Sequence, residues 1–238
     1  MIDKTVATCS EAVAQVFDGA TIMIGGFGDP GVPGQLIEAL RQQGSKNLVV
    51  IHNGAGSGDF SLGGLILDGR VRKLIASFPS SSGSVAFRDR YLKGEIELEL
   101  VPQGTLIERI RAAGAGLGGF YTPTAVGTDL AAGKETRVIN GREYVFELPL
   151  AADFAFIKAY KADPSGNLTY RLAMRNFNPI MATAGKTVIA EVEHLVPIGG
   201  IPIEEIHTPC IFIDHVVQVE RHPRLFEPPK PKKKERAS

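Results

Sequence analysis

The sequence predicts an α/β fold: a largely parallel, open sheet with flanking helices. Three observations carry this. Short apolar, β-prone runs alternate along the chain with segments of helical period. Leu48, Val49, Val50 and Ile51 form an unbroken apolar run, as expected of a strand covered on both faces. Each of the first strands is followed at once by a turn, mostly rich in Gly or Ser. In open parallel sheets, ligands gather beyond the carboxyl ends of the strands. The 238 residues suffice for one domain with a sizeable core, predicted over 1–222.

The elements follow in order. Thr8 and Glu11 form a capping box before a first helix at 10–17. A strand at 21–24 leads into Gly25, Gly26, Gly28 and Gly31, glycines that let the backbone bend and approach a bulky ligand. Pro33 sits where a helix begins, Leu36, Ile37 and Leu40 mark its apolar face, and Gly44 ends it. The N-terminus of that helix is a ready place for a phosphate or an oxyanion. A strand at 48–51, a helical turn at 62–67, a strand at 73–77 and a helix at 85–92 come next. Ile96, Leu98 and Leu100 alternate with Glu97 and Glu99, as in a half-exposed strand. Residues 102–105 read as a loop, and Leu106, Ile107 and Ile110 as a helix face. Beyond Gly114 to Gly119 a long irregular loop is expected. Asn140-Gly141 signals a hairpin. A strand at 154–160, a turn at 163–167, a helix near 178–184 and strands at 187–192 and 211–219 complete the domain. The Pro- and Lys-rich tail, 223–238, is expected to be disordered.

Composition excludes several classes. The 26 basic and 26 acidic residues balance, so nothing draws the whole chain to nucleic acid or an anionic membrane. No run reaches the roughly 18 apolar residues of a membrane span. Asp3, Lys4 and Glu11 interrupt any signal-like apolar segment at the start. Cys9 and Cys210, far apart in sequence, read as free thiols in a reduced, cytoplasmic setting.

Four loops leave strands at the carboxyl edge: 25–33, 52–58, 78–84 and 102–105. Gly26, Gly28 and Gly31 spell G-x-G-x-x-G, the dinucleotide fingerprint. The next strand, however, ends in His52-Asn53-Gly54, without the carboxylate a ribose requires. Gly114 to Gly119 repeat the spacing after a helix, the wrong context, and read as helix termination with a close-packed loop, either for packing or as part of the site. The four loops carry neutral donors, namely the amides of Asn53 and Gln103 and the hydroxyls of Ser57, Ser80, Ser81 and Ser82. Such groups stabilise an oxyanion or a carboxylate. No G-x-S-x-G elbow occurs, and the five histidines have no metal-ligand spacing. His52 reads as structural, and Asp29 and Asp59 as acids in turns.

Asp18-Gly19, Ile22 to Ile24, Gly25-Gly26-Phe27, Gly31 and Pro33 resemble the first motif of the alpha-type subunit of the family I coenzyme A-transferases. Asn53-Gly54-Ala55-Gly56, Pro102-Gln103-Gly104-Thr105, Gly114 to Gly119 with Phe120 to Thr124, and Ala173 to Pro179 resemble the same protein in the same order. The resemblance spans roughly residues 4–220. It implies transfer of CoA from succinyl-CoA to a 3-oxo acid, with 3-oxoadipate favoured and acetoacetate next. It further implies a coenzyme-binding loop at Gly25, Gly26, Phe27, Gly28, Asp29, Pro30 and Gly31. In this family the nucleophile is a glutamate of a B (beta) subunit, in a Ser-Glu-Asn-Gly motif that this chain lacks. The expected partner is therefore that B subunit, in an α2β2 assembly. Gln103 and Asn53 would stand beside the partner's glutamate. No metal or tightly bound cofactor is implied, and the CoA thioester is a substrate. Arg175 is a candidate carboxylate holder or a structural ion-pair member. Relatives acting on 3-oxoacids tend to carry two asparagines where this chain has Asn53-Gly54. The serine loop and the first four residues look closer to the bacterial 3-oxoadipate enzymes. Two other readings stay open: a CoA- or phosphate-binding module without catalysis, and a nucleotide-linked oxidoreductase.

Overall fold

The computed structural model describes residues 2–220. The disordered tail expected at 223–238 lies outside them. The strands are β1 (Thr5–Val6), β2 (Thr21–Ile24), β3 (Leu48–Ile51), β4 (Val71–Ala76), β5 (Glu97–Leu100), β6 (Phe120–Thr122), β7 (Thr136–Ile139), β8 (Arg142–Glu147), β9 (Ala152–Ala162), β10 (Leu168–Thr169), β11 (Gly185–Leu195) and β12 (His215–Gln218). The helices are α1 (Cys9–Val13), α2 (Gly34–Gln43), α3 (Ser61–Leu67), α4 (Val85–Leu92), α5 (Gln103–Gly114) and α6 (Asn178–Met181).

The main sheet runs β1-β12-β11-β9-β2-β3-β4-β5, parallel throughout, with β10 hairpinned antiparallel onto β9. From β2 to β5 the chain steps in one direction. It then returns to lay β9 against the other side of β2, so β2 and β9 flank the point where strand order reverses. Pleating divides the core in two. Ile22 and Ile24 face a layer containing α1, α2, α3 and α4, whereas Met23 faces a layer containing α5 and α6. All four side chains of β3 are buried, which explains its unbroken apolar sequence.

Local chemistry sets the ends. The Thr8 hydroxyl accepts the Glu11 N–H at 3.1 Å, and the Glu11 carboxylate accepts the Ala7 N–H at 3.0 Å, so the capping box reaches one residue further back than its usual form. Gly44 ends α2 in the left-handed conformation. Asn140 and Gly141, at φ 51° and 77°, make the β7–β8 turn, and β6 completes a separate three-stranded antiparallel sheet. At the exposed edge, Lys73 bridges Glu97 and Glu99, both at 2.9 Å. That line of charge blunts an open strand edge.

Several expectations change. The first helix is one turn shorter than 10–17. Residues 102–105 are not a loop, because Pro102 is the N-cap and Gln103 opens α5. The irregular stretch after Gly119 contains β6, which finds its hydrogen bonds on β8. The last strand is limited to β12, because a 3-10 turn occupies Cys210–Phe212. The short β1 was not anticipated.

The N-terminus of α2 is not open to a ligand anion as expected. Glu191, on β11, accepts the N–H groups of Gln35 and Leu36 through Oε2 at 2.8 and 3.0 Å. Its Oε1 holds Lys158 Nζ at 2.7 Å, directly across from it on β9. The two side chains are 0% and 3% exposed. The helix has no side-chain cap of its own at Pro33, so the buried carboxylate serves as one. Glu191→Gln would strand the Lys158 charge in the core. Urea unfolding should report a loss of about 3–5 kcal/mol, and an unchanged midpoint would show that the pair does not hold the helix.

Cys9 and Cys210 are free thiols. The Cys9 thiol is pushed up to about 12, chiefly by burial and then by the Glu191 charge, with Lys158 offsetting part of both. Cys9 should therefore resist a thiol-specific disulfide reagent at pH 8 in the folded chain and react at once in denaturant, as read by titration of released chromophore.

Candidate functional site

Because β2, β3, β4 and β5 are neighbours in chain order, the segments leaving them meet at one edge. They enclose a cleft of about 530 Å3. Phe27, Gly28 and Asp29 come from the first segment, His52 to Ser57 from the second, Ser77, Phe78, Ser81 and Ser84 from the third, and Gln103 from the fourth. The convergence expected from strand order is therefore present, and Asn53 and Gln103 touch.

Asn53 is the centre of the cleft wall. It is 5% exposed, and its Oδ1 lies 2.6 Å from Gln103 Nε2 and 2.7 Å from Ser77 Oγ. Gln103 reaches it because the first turn of α5 begins there, where a loop residue would be less firmly held. The serines stitch loops together: Ser84 Oγ donates to the Gly56 carbonyl at 2.9 Å and lies 2.8 Å from Ser81 Oγ. Ser80 and Ser82 do not line the cleft. Ser77 was read only as the end of a strand, and no sequence signal separates it from any other serine there.

His52 is structural, as read, though it also borders the cleft. It is 2% exposed, and Nδ1 lies 2.8 Å from the Ile24 carbonyl oxygen. Burial pushes the imidazole well below its usual range, outweighing the carbonyl contact, so the ring is neutral at pH 7. A carbonyl oxygen only accepts, so Nδ1 carries the proton. The bond ties the end of β3 to the residue before the glycine loop.

The glycine loop has two faces. A methyl group at Gly25 would run into Asn178 Oδ1, and one at Gly31 would lie 2.7 Å from Asn178 Nδ2. Asn178 is fully buried, accepts the Lys158 N–H at 2.9 Å, and donates to the carbonyls of Gly31 and Met174 at 3.0 and 2.9 Å. Asn176 donates to the Pro30 carbonyl at 2.8 Å. These two glycines are thus required by the protein's own interior, where the sequence had suggested a bulky ligand. Gly26 is buried beside Val32. Phe27, Gly28 and Asp29 are exposed at the cleft, whereas Pro30 and Gly31 border a second cleft with Arg171 and Met174. Arg175 is exposed, forms no ion pair among the described residues and lies outside the first cleft. Asn178 escaped the sequence reading because a buried amide bonded to backbone leaves no pattern.

The cleft offers amides, hydroxyls and backbone N–H groups, with Asp29 as its one carboxylate and no Lys or Arg in its lining. Among the described residues no group of three His, Cys, Asp or Glu is placed to hold a metal ion. Such a wall can orient carbonyl and carboxylate groups and stabilise an oxyanion. It has no activated nucleophile.

A family model for coenzyme A transferases matches residues 6–219. The chain belongs to the coenzyme A transferase family. It is 54% identical over 219 residues to the alpha-type subunit of the 3-oxoadipate CoA-transferase of Pseudomonas putida, covering 92% of this chain and 95% of the relative. It is 49% identical over 214 residues to the corresponding subunit of a probable succinyl-CoA:3-ketoacid coenzyme A transferase of Bacillus subtilis, covering 90% and 89%. An acyl-CoA transferase from Escherichia coli O157:H7, solved as a thioester complex with CoA, shares the fold at a TM-score of 0.80 and 22% identity. That match covers 94% of this chain and 49% of the other, so this chain spans about half of that polypeptide.

Folding favours neutral His52. Its contribution to stability is complete above its usual value of 6.5 and is lost as pH falls through that value towards the lower folded one. The melting temperature should drop between pH 7 and pH 5. His52→Asn, which keeps a donor near Nδ1 but does not titrate, should flatten that drop in thermal scans.

Proposed function

We propose that this chain is the alpha-type subunit of a CoA-transferase that moves CoA from succinyl-CoA to a 3-oxo acid, 3-oxoadipate before acetoacetate. One observation carries the reading: in a member of this family, the edge cleft is built of neutral donors around Asn53 and Gln103 and has no activated nucleophile. A B subunit supplies the missing glutamate, in an α2β2 assembly. Its carboxylate attacks the thioester carbonyl, the C–S bond breaks, and a mixed anhydride and CoA thiolate result. The thiolate attacks the glutamyl carbonyl and releases the first acid, leaving a glutamyl-CoA thioester. The acceptor carboxylate then takes the acyl donor's place and the steps run in reverse. Each addition places negative charge on a carbonyl oxygen, where the Asn53 amide N–H stabilises it. Phe27, Gly28 and Asp29 border the acyl-CoA, while Gly25, Gly26, Pro30 and Gly31 shape the loop that presents them.

Neutral polar walls suit this chemistry. A free base beside an activated acyl group would direct water onto it, and the thioester energy would be lost as hydrolysis. Burial lowers the basicity of His52, the ring is almost sealed from solvent, and its Nδ1 proton is committed to Ile24. The CoA thioester is a substrate, and no tightly bound cofactor takes part. No helix among the described residues is long and apolar enough to cross a membrane. The proposed enzyme is cytoplasmic.

The test is a transfer assay with this chain alone and with its B partner, using succinyl-CoA and a panel of 3-oxo acids. Activity only in the mixture, with a CoA adduct on a partner glutamate by mass spectrometry, is the expected result. Activity of the chain alone, or CoA binding without transfer in the mixture, would overturn it. In the active mixture, Asn53→Ala should lower kcat by about 10²–10³-fold, the effect of removing one oxyanion donor.

A further inference from the structure

We propose that Ser77 is a positioning residue whose hydroxyl fixes the orientation of the Asn53 amide, so that N–H groups rather than a carbonyl oxygen face the cleft. The inference rests on the proposed transfer reaction for its consequence, but not for its geometry.

The argument is a count of protons and lone pairs. The backbone oxygen of Asn53 accepts the Phe78 N–H at 2.8 Å and the Ser77 N–H at 3.2 Å. A carbonyl oxygen has two lone pairs, and both are engaged. Ser77 Oγ stands 3.2 Å from that same oxygen and 2.7 Å from Asn53 Oδ1. The hydroxyl has one proton, and the nearer, unfilled acceptor takes it. The atom facing Ser77 is therefore the amide oxygen. Were the amide reversed, its N–H would point at Ser77 Oγ, and the hydroxyl would lose its one unfilled protein acceptor, leaving a filled carbonyl or water in the cleft.

Gln103 follows from the same polarity. Its Nε2 donates to Asn53 Oδ1 at 2.6 Å, which fills the second lone pair of that oxygen. Alone, Gln103 could not set the direction, because its own amide reverses just as easily and would meet a flipped Asn53 with Oε1. A hydroxyl whose alternative acceptor is already filled cannot do this. Asn53 Nδ2 has no partner among the described residues. It is also not among the sealed, unpartnered side-chain atoms, which are Ser61 Oγ, Arg70 Nε and Thr105 Oγ1. The Nδ2 hydrogens therefore meet the open cleft that Asn53 lines.

Without the hydroxyl, Asn53 and Gln103 can reverse together, and the reversed form aims lone pairs at the developing oxyanion. Substrate binding would change little, whereas the transition state would lose its donor in the reversed fraction. Steady-state kinetics of the full chain with its B partner test this with three Ser77 variants and a double-variant cycle with Asn53. Ser77→Ala should lower kcat by about 10-fold, a partial form of the full loss of an oxyanion donor, with KM for succinyl-CoA within about twofold. Ser77→Thr should retain near-native kcat while Ser77→Val, of the same shape without the hydroxyl, should not. In an Asn53→Ala background, Ser77→Ala should cost less than about twofold, because residues acting through one another are not additive. Equal effects of Thr and Val, or an additive double variant, would overturn the proposal. A readout independent of turnover is the ¹⁵N side-chain amide spectrum. The Asn53 and Gln103 signals, assigned by their Ala variants, should move in Ser77→Val and stay in Ser77→Thr. If the native mixture transfers no CoA, the proposed function fails and these signals alone decide Ser77, with unchanged signals in Ser77→Val counting against it.

Discussion

The carboxylate of Glu191 is the constraint on which the rest of the molecule depends. It joins three elements that the chain brings together from far apart: β11, β9 through Lys158, and the N-terminus of α2 through Gln35 and Leu36. Taking two charges out of water is costly, and only a full set of hydrogen bonds makes such a pair tolerable in a core. The geometry supplies them. One oxygen faces the ammonium and the other faces two N–H groups at the positive end of a helix. The neighbouring backbone N–H of Lys158 is taken by Asn178, whose own N–H groups hold the glycine loop. From Glu191 to Gly31 the polar groups form one connected set, so the position of the loop depends on the buried pair.

This arrangement changes what the glycine loop is for. A glycine loop feeding a helix usually offers its donors to a ligand phosphate. Here those helix donors are already committed, and Gly25 and Gly31 make room for Asn178. What remains for a ligand is the exposed tip at Phe27, Gly28 and Asp29. The segment from Ala173 to Pro179 also gains a physical explanation, because Asn176 and Asn178 lie within it and clasp the loop from behind.

The cleft follows the same logic of fixed polar groups. Asn53 is held from three sides, by the backbone of Ser77 and Phe78, by the Ser77 hydroxyl and by Gln103. A donor held in place before the reaction needs no reorganisation when charge develops, and this is the source of most oxyanion stabilisation. The groups that hold it are neutral, and so is His52 beneath it. The cleft thus orients through neutral amides and hydroxyls, and its imidazole is held at Nδ1 and weakened as a base by burial.

Much of this was legible in the sequence, for identifiable reasons. The apolar runs located β2 and β3, the alternation from Ile96 to Leu100 located β5, and Gly44 and Asn140-Gly141 marked a helix end and a hairpin through their backbone preferences. The order of the first strands placed Asn53 and Gln103 on one edge, because neighbouring parallel strands share a direction. Three things were decided only by tertiary structure. Gln103 opens a helix, since Pro102 turns the chain directly into α5. Glu191 and Lys158 meet because β9 and β11 run parallel in matched register, across 33 residues of chain. Ser77 and Asn178 act through hydrogen bonds to residues far along the chain, Asn53 for the first and Gly31 and Lys158 for the second. Sequence determines local preferences and the pattern of burial, both carried by neighbours along the chain. A bond between residues far apart in sequence has no local signature, and it exists only once the sheet has set the distance.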